Sequence, residues 1–215
     1  MIDLYCERLS PDFWAEPVNA LTNAAFLVAA AFGWRLAGRL GQRDLQVSVL
    51  LAVLASIGIG SFLFHTFATR WAMLADLIPI LVFQLFYLWL YTGTINGWGR
   101  ALRMVSVASL LLALVLSTRL AAYANGSLIY LPALLTLVML ALHARVQARP
   151  GRALLLAASA LFALALSLRT IDMLVCEQFA TGAHFGWHLL NALVLYLVTS
   201  ALLRVRQQGQ PIAYR

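Results

Sequence analysis

Seven apolar runs, each of roughly the 20 residues needed to cross about 30 Å of hydrocarbon, constrain this chain more than any other feature. They cover about 17–36, 45–67, 71–91, 101–120, 128–146, 152–174 and 183–203. Turn-forming residues punctuate them: Asn125, Gly126 and Ser127 precede the fifth run, and Pro150 and Gly151 separate the fifth from the sixth. Pro17 suits a first helical turn, where its missing N–H has no intrahelical partner to lose. Pro79 lies inside the third run and leaves the Ala75 carbonyl without its helical donor, which predicts a kink near Asp76. With 63% hydrophobic residues, 11% charged residues and a mean hydropathy of +0.86, the chain is far more apolar than a soluble domain, where about 45–50% is usual. The expected fold is all-α: a polytopic membrane protein forming one seven-helix bundle over residues 1–215. The first sixteen residues carry Asp3, Glu7, Asp12 and Glu16 and have no basic start leading into an apolar core, so no cleavable signal peptide is expected.

A net charge of +7 would suggest a nucleic-acid partner in a soluble chain. Here all fifteen basic residues are arginines at the ends of apolar runs, which reads as membrane anchoring and argues against nucleic acid. Arg35, Arg39, Arg43, Arg100, Arg103, Arg145, Arg149, Arg152, Arg204, Arg206 and Arg215 fall on one side, against Arg8, Arg70, Arg119 and Arg169 on the other. The positive-inside rule then places the N-terminus outside and the C-terminus in the cytoplasm. The lysine-free, Ala- and Leu-rich composition hints at a GC-rich bacterial genome, so the expected location is a bacterial inner membrane with the outer end toward the periplasm.

Polar residues inside the runs are few, and five of them converge. Ser61 and His65 stand four apart at the end of the second run, on one helical face. Asp76 opens the third run after a short reversal at 66–70. His184 and His188, again four apart, open the seventh. All three positions lie at the outer end of the bundle. Three imidazoles are a known first shell for catalytic zinc, with a fourth position left for water. Asp76 can accept that water's proton, and Ser61 can donate to a developing oxyanion. Each residue also has a plainer reading: interhelical hydrogen bonding for the histidines, pairing with Arg70 or Arg169 for Asp76, and a bond to its own helix for Ser61. His143 lies on the arginine-rich side and reads as interfacial. Asn19, Asn23, Gln84 and Asn191 read as interhelical hydrogen-bonding residues.

Cys6 and Cys176 are the two cysteines, and both fall on the outer side, where a disulfide persists. They are expected to pair and tie the N-terminal segment to the loop that leads to His184; two free thiols are the alternative.

Ser61-x3-His65 ending helix 2, Asp76 opening helix 3 and His184-x3-His188 opening helix 7 resemble the CREST superfamily of seven-transmembrane metal hydrolases, which includes the alkaline ceramidases and the PAQR proteins. Tyr5-Cys6-Glu7, followed by Glu16-Pro17-Val18-Asn19 and Asn23, is most similar to the alkaline ceramidase branch. The resemblance spans Tyr5 to about Leu203. It implies a zinc amidase cleaving the N-acyl bond of ceramide or a related lipid, with His65, His184 and His188 as zinc ligands and Asp76 and Ser61 acting on water and oxyanion. It also implies a calcium site, for which Glu7, Glu16 and Asn19 are the matching side chains, with carbonyls of Tyr5 and Leu9. Leu4 stands where that site expects an aspartate, and the Glu7 to Glu16 loop is short, so the same acids read equally as a solvated loop. The rival function is a lipid receptor or binding protein of the PAQR type, with a structural or vestigial zinc.

Overall fold

The computed structural model describes residues 2–95 and 97–208. Among them are seven helices long and apolar enough to span a membrane: α1 (Pro17–Arg39), α2 (Leu45–Phe67), α3 (Arg70–Thr92), α4 (Arg100–Leu120), α5 (Ala124–Val146), α6 (Arg152–Leu174) and α7 (His184–Gln208). No strand occurs among the described residues. Helices suit hydrocarbon because every backbone donor meets an acceptor within its own segment. Arg215 lies outside the described residues.

The ends of these helices follow from their sequences. Pro17 occupies the first turn of α1, and α1 is interrupted by a turn at Asn23 before continuing from Ala24. Asp44 caps α2 by accepting from the Val47 N–H at 2.9 Å, and Ala68 ends it in the left-handed conformation at φ 46°. Asn125 and Gly126 are also left-handed and break the first turns of α5. α7 runs on to Gln208, past the end near Leu203 that hydropathy alone suggests, because its last turns are held. Gln42 donates to the Leu203 carbonyl at 2.8 Å, and Arg206 pairs with Asp44. Asn23 and Asn191 bond carbonyls of their own helices, Asn19 and Trp187 respectively. This corrects the expectation that they bridge helices.

α2 and α3 cross closely near the end of the bundle that carries the histidines, and the cause is local. Pro79 cannot donate to the Ala75 carbonyl. That carbonyl instead leans on Gly60 of α2, where a Cβ would collide with it. Each neighbour in sequence is a candidate site residue, so the contact that sets the helix crossing also sets Ser61 against Asp76. Beneath this crossing an apolar cavity draws its walls from all seven helices, including Phe26, Ile57, Phe83, Leu110, Phe162 and Trp187. Tyr130 and Asn191 also line it.

Gly60→Ala should lower thermal stability in detergent by about 1–3 kcal/mol, the usual cost of overpacking; an unchanged melting temperature would show that the two helices separate freely. Asp44 gives a second test. Burial pushes its carboxyl up, but the Val47 N–H and Arg206 outweigh burial and hold it below the usual range. Its stabilising contribution is therefore complete above about pH 4, where unfolded aspartate is already ionised, and fades as the pH falls through the lower folded value. Asp44→Asn should flatten that acid limb of the melting curve.

Candidate metal centre

α2 ends with His65 and α7 begins with His184 and His188, and their side chains meet. Each histidine is about 1% exposed, and one ring nitrogen of each lies within 4.8 Å of those of the others. Among the described residues no fourth His, Cys, Asp or Glu joins the group. Protein partners fix which nitrogens are offered. His65 Nδ1 lies 2.5 Å from Glu16 Oε2, and a carboxylate only accepts, so Nδ1 carries the proton and Nε2 is left with a lone pair. His188 Nδ1 lies 3.0 Å from Thr22 Oγ1. The one Thr22 proton is directed to its own helix, at Val18 O (2.8 Å) or Asn19 O (3.0 Å). Thr22 therefore accepts from His188 Nδ1–H, and Nε2 is again left basic. His184 Nδ1 is buried with no protein partner. Three neutral imidazoles facing one another with lone pairs and no bridging donor fit a metal ion.

Around this centre each of the other expected residues has a definite place. Ser61 is 4% exposed, and its hydroxyl, the His65 ring and the Arg169 guanidinium all act on the Asp76 carboxylate. Asp76 is not itself among the clustered ligands. Cys6 and Cys176 are joined in a disulfide with their Cα atoms 5.4 Å apart.

Glu7 and Glu16 are spent on protein partners. Glu7 caps α1, accepting from the N–H of Val18 at 2.7 Å and of Asn19 at 2.8 Å; burial still raises its carboxyl above the usual range despite those two donors. Glu16 binds Arg8 through Oε1 at 2.5 Å, while Oε2 takes both the His65 contact and the Asn19 amide at 3.2 Å. Burial alone would raise the Glu16 carboxyl, but His65 and Arg8 hold it below the usual range. Of the three side chains expected to hold calcium, only Asn19 keeps an oxygen without a protein partner. Calcium gains no support from this arrangement.

Several residues that support the centre were assigned no such role from the sequence. The Tyr5 ring stacks on His184 with centroids 3.6 Å apart. Its hydroxyl accepts from Arg169 Nη1 at 2.6 Å, and Arg169 also lies over the rings of Tyr130 and Trp187. Asp172, fully buried, receives the N–H groups of Cys6 (3.0 Å), Ala183 (2.7 Å) and His184 (2.9 Å). The two carboxylate oxygens thereby join the N-terminal segment to the first turn of α7. Gly182, at φ 62°, passes so close that a Cβ there would collide with Asp172 and Cys6. The pairings made by the N-terminal segment are remote in sequence, Tyr5 with Arg169 at a separation of 164 and Cys6 with Asp172 at 166, and only a fold could reveal them.

Fold and site together define a multi-pass membrane protein with a buried cluster of three histidines, able to hold a metal ion, at one end of the bundle. The sequence matches the ceramidase family model over residues 5–214, and the chain belongs to that family. Membership implies a hydrolase acting on an amide bond, with a lipid substrate met in the membrane. A search of the curated proteins finds no match.

Asp172→Ala would strand its donors at about 1–3 kcal/mol each. The expected result is a markedly lower melting temperature and less bound metal, read by unfolding in detergent and by elemental analysis; wild-type values for both would remove Asp172 from the framework.

Proposed function

We propose that the protein is a zinc-dependent intramembrane amidase that hydrolyses the N-acyl bond of ceramide or a related N-acyl lipid, giving a free fatty acid and a sphingoid base or amine. The observation that carries this reading is the buried three-histidine cluster, which has no fourth protein ligand among the described residues and is neighboured by Ser61 and Asp76. A structural zinc is closed by four protein ligands, whereas a catalytic one keeps a position for water or substrate. The absence of a fourth ligand among the described residues therefore favours catalysis over the receptor alternative.

His65, His184 and His188 would hold the ion. When bound there, zinc polarises a carbonyl and lowers the pKa of water toward neutrality, which suits a poorly electrophilic amide. The remaining work falls to the chain's own groups. Asp76 accepts a proton at its carboxylate from the attacking water and passes it to the amide nitrogen as the C–N bond breaks. Ser61 Oγ–H donates to the carbonyl oxygen as that atom gains charge. Arg169, held by Tyr5, keeps a positive charge near Asp76. The apolar cavity beside Trp187 accommodates hydrocarbon chain while excluding water from the reacting bond.

The arginine distribution supports an orientation with the metal centre on the outer side and the C-terminus in the cytoplasm; in a bacterium the site would face the periplasm. The family-wide match supports reading the chain as one ceramidase-like domain.

Hydrolysis of defined N-acyl sphingosines by detergent-purified protein, with zinc counted in the same sample, tests the reading. Wild type should release fatty acid and hold about one zinc per chain. Asp76→Asn should keep the zinc and lose about 10²–10⁴-fold in kcat, the usual worth of a general base. His65→Ala, His184→Ala and His188→Ala should each lose metal. Zinc without release from any N-acyl lipid would move the assignment to a binding role, and full zinc in all three histidine variants would end the ligand assignment.

A further inference from the structure

We infer that Arg8 is a built-in cation that takes the place of a bound calcium in the N-terminal loop and, through Glu16, positions His65 for the metal. The loop that follows Arg8 folds back over its guanidinium. Nε donates to Glu16 Oε1 at 2.5 Å, Nη2 to the His65 carbonyl at 2.8 Å, and Nη1 to the carbonyls of Ser10 at 3.2 Å and Asp12 at 3.5 Å. One carboxylate and three backbone carbonyls are the ligand types that calcium collects. Here they converge on a side chain that is 2% exposed and cannot lose its charge. A second cation in the same cage would meet this fixed positive charge without water to screen it. The calcium expected from Glu7, Glu16 and Asn19 therefore does not fit.

The cage touches the catalytic end directly. Arg8 grips the carbonyl of His65 and, on its other side, Glu16, whose second oxygen holds the His65 ring. Backbone and imidazole of one ligand are fixed by a single guanidinium through two routes. Arg8 is thus a positioning residue, since it reaches no reacting atom itself.

This inference rests on the metal-centre reading for its effect on zinc, but its calcium arm is independent of that reading. The full-length protein in detergent is dialysed against calcium and its bound ions counted, with melting temperature and zinc affinity, by competition with a chromophoric chelator, as readouts. Wild type should retain no stoichiometric calcium, and neither EGTA nor added calcium should change its melting temperature or its hydrolysis. Arg8→Ala should bind zinc about 10–100-fold more weakly, the usual cost of losing an outer partner of a metal ligand. Because it frees the four oxygens, Arg8→Ala should also acquire a melting temperature that rises with calcium and not with magnesium, whose strict octahedral demand the cage does not meet. Arg8→Lys should lose less zinc affinity than Arg8→Ala, and if Arg8→Ala does not fold, Arg8→Lys and the wild-type calcium count decide. Stoichiometric calcium in wild type, or zinc affinity unaltered in Arg8→Ala or in its Lys substitute, would overturn the inference, as would an Arg8→Ala protein indifferent to calcium. A wild type that binds no zinc would instead count against the proposed function, and the calcium result would still judge Arg8.

Discussion

The carboxylate of Asp172 is the point on which the histidine-bearing end of this protein depends. It is fully buried and accepts three backbone N–H groups from two distant segments. Ionic acceptors make the stronger hydrogen bonds, and a buried one is costly to leave unpaired. The start of α7 and the segment around Cys6 must therefore arrive together. The disulfide to Cys176 repeats the same union covalently. With α7 so placed, its first turn carries His184 and His188 to the end of α2.

Concentrating polarity at one end resolves a general difficulty of membrane folds. A charged or hydrogen-bonding side chain in hydrocarbon must find a partner inside the protein. Here Arg8 pairs with Glu16 and Arg169 with Tyr5, while Glu16, Thr22 and Tyr5 each hold one histidine. The same bonds that make burial tolerable set the tautomers of His65 and His188. Deeper in the bundle, side chains are almost wholly apolar, and the cavity there inherits that character. The polar cluster and the apolar cavity are thus separated along the helix axis.

How much of this was legible in the sequence follows from the range of each interaction. Seven helices are legible because hydropathy is a local property of about 20 residues. The histidines of α7 are legible as a pair because helical spacing places four-apart residues on one face, and His65 joins them once helix ends are assigned to sides of the bilayer. The contact of Ala75 with Gly60 was half visible: Pro79 announces a free carbonyl, but nothing local says which glycine receives it. Arg8 was invisible as a site residue, since an arginine near the N-terminus looks like any interfacial anchor. Glu16 was noticed as a calcium ligand and is found against Arg8 and His65, because a carboxylate in an acidic loop does not declare whether an ion, a guanidinium or an imidazole will face it. Tyr5 and Thr22 offered no chemical signature, and only their neighbours in space give them a role.

The division of the centre between the two ends of the chain has a consequence for biosynthesis. Tyr5, Arg8, Glu16, Thr22 and His65 belong to the first third of the polypeptide, while His184 and His188 belong to the last helix to leave the ribosome. A nascent chain halted before α7 already holds Asp172 and both cysteines, but only one of the three clustered imidazoles. The three-histidine cluster therefore cannot close until the final helix is inserted, and the order of synthesis makes it the last part of the fold to form.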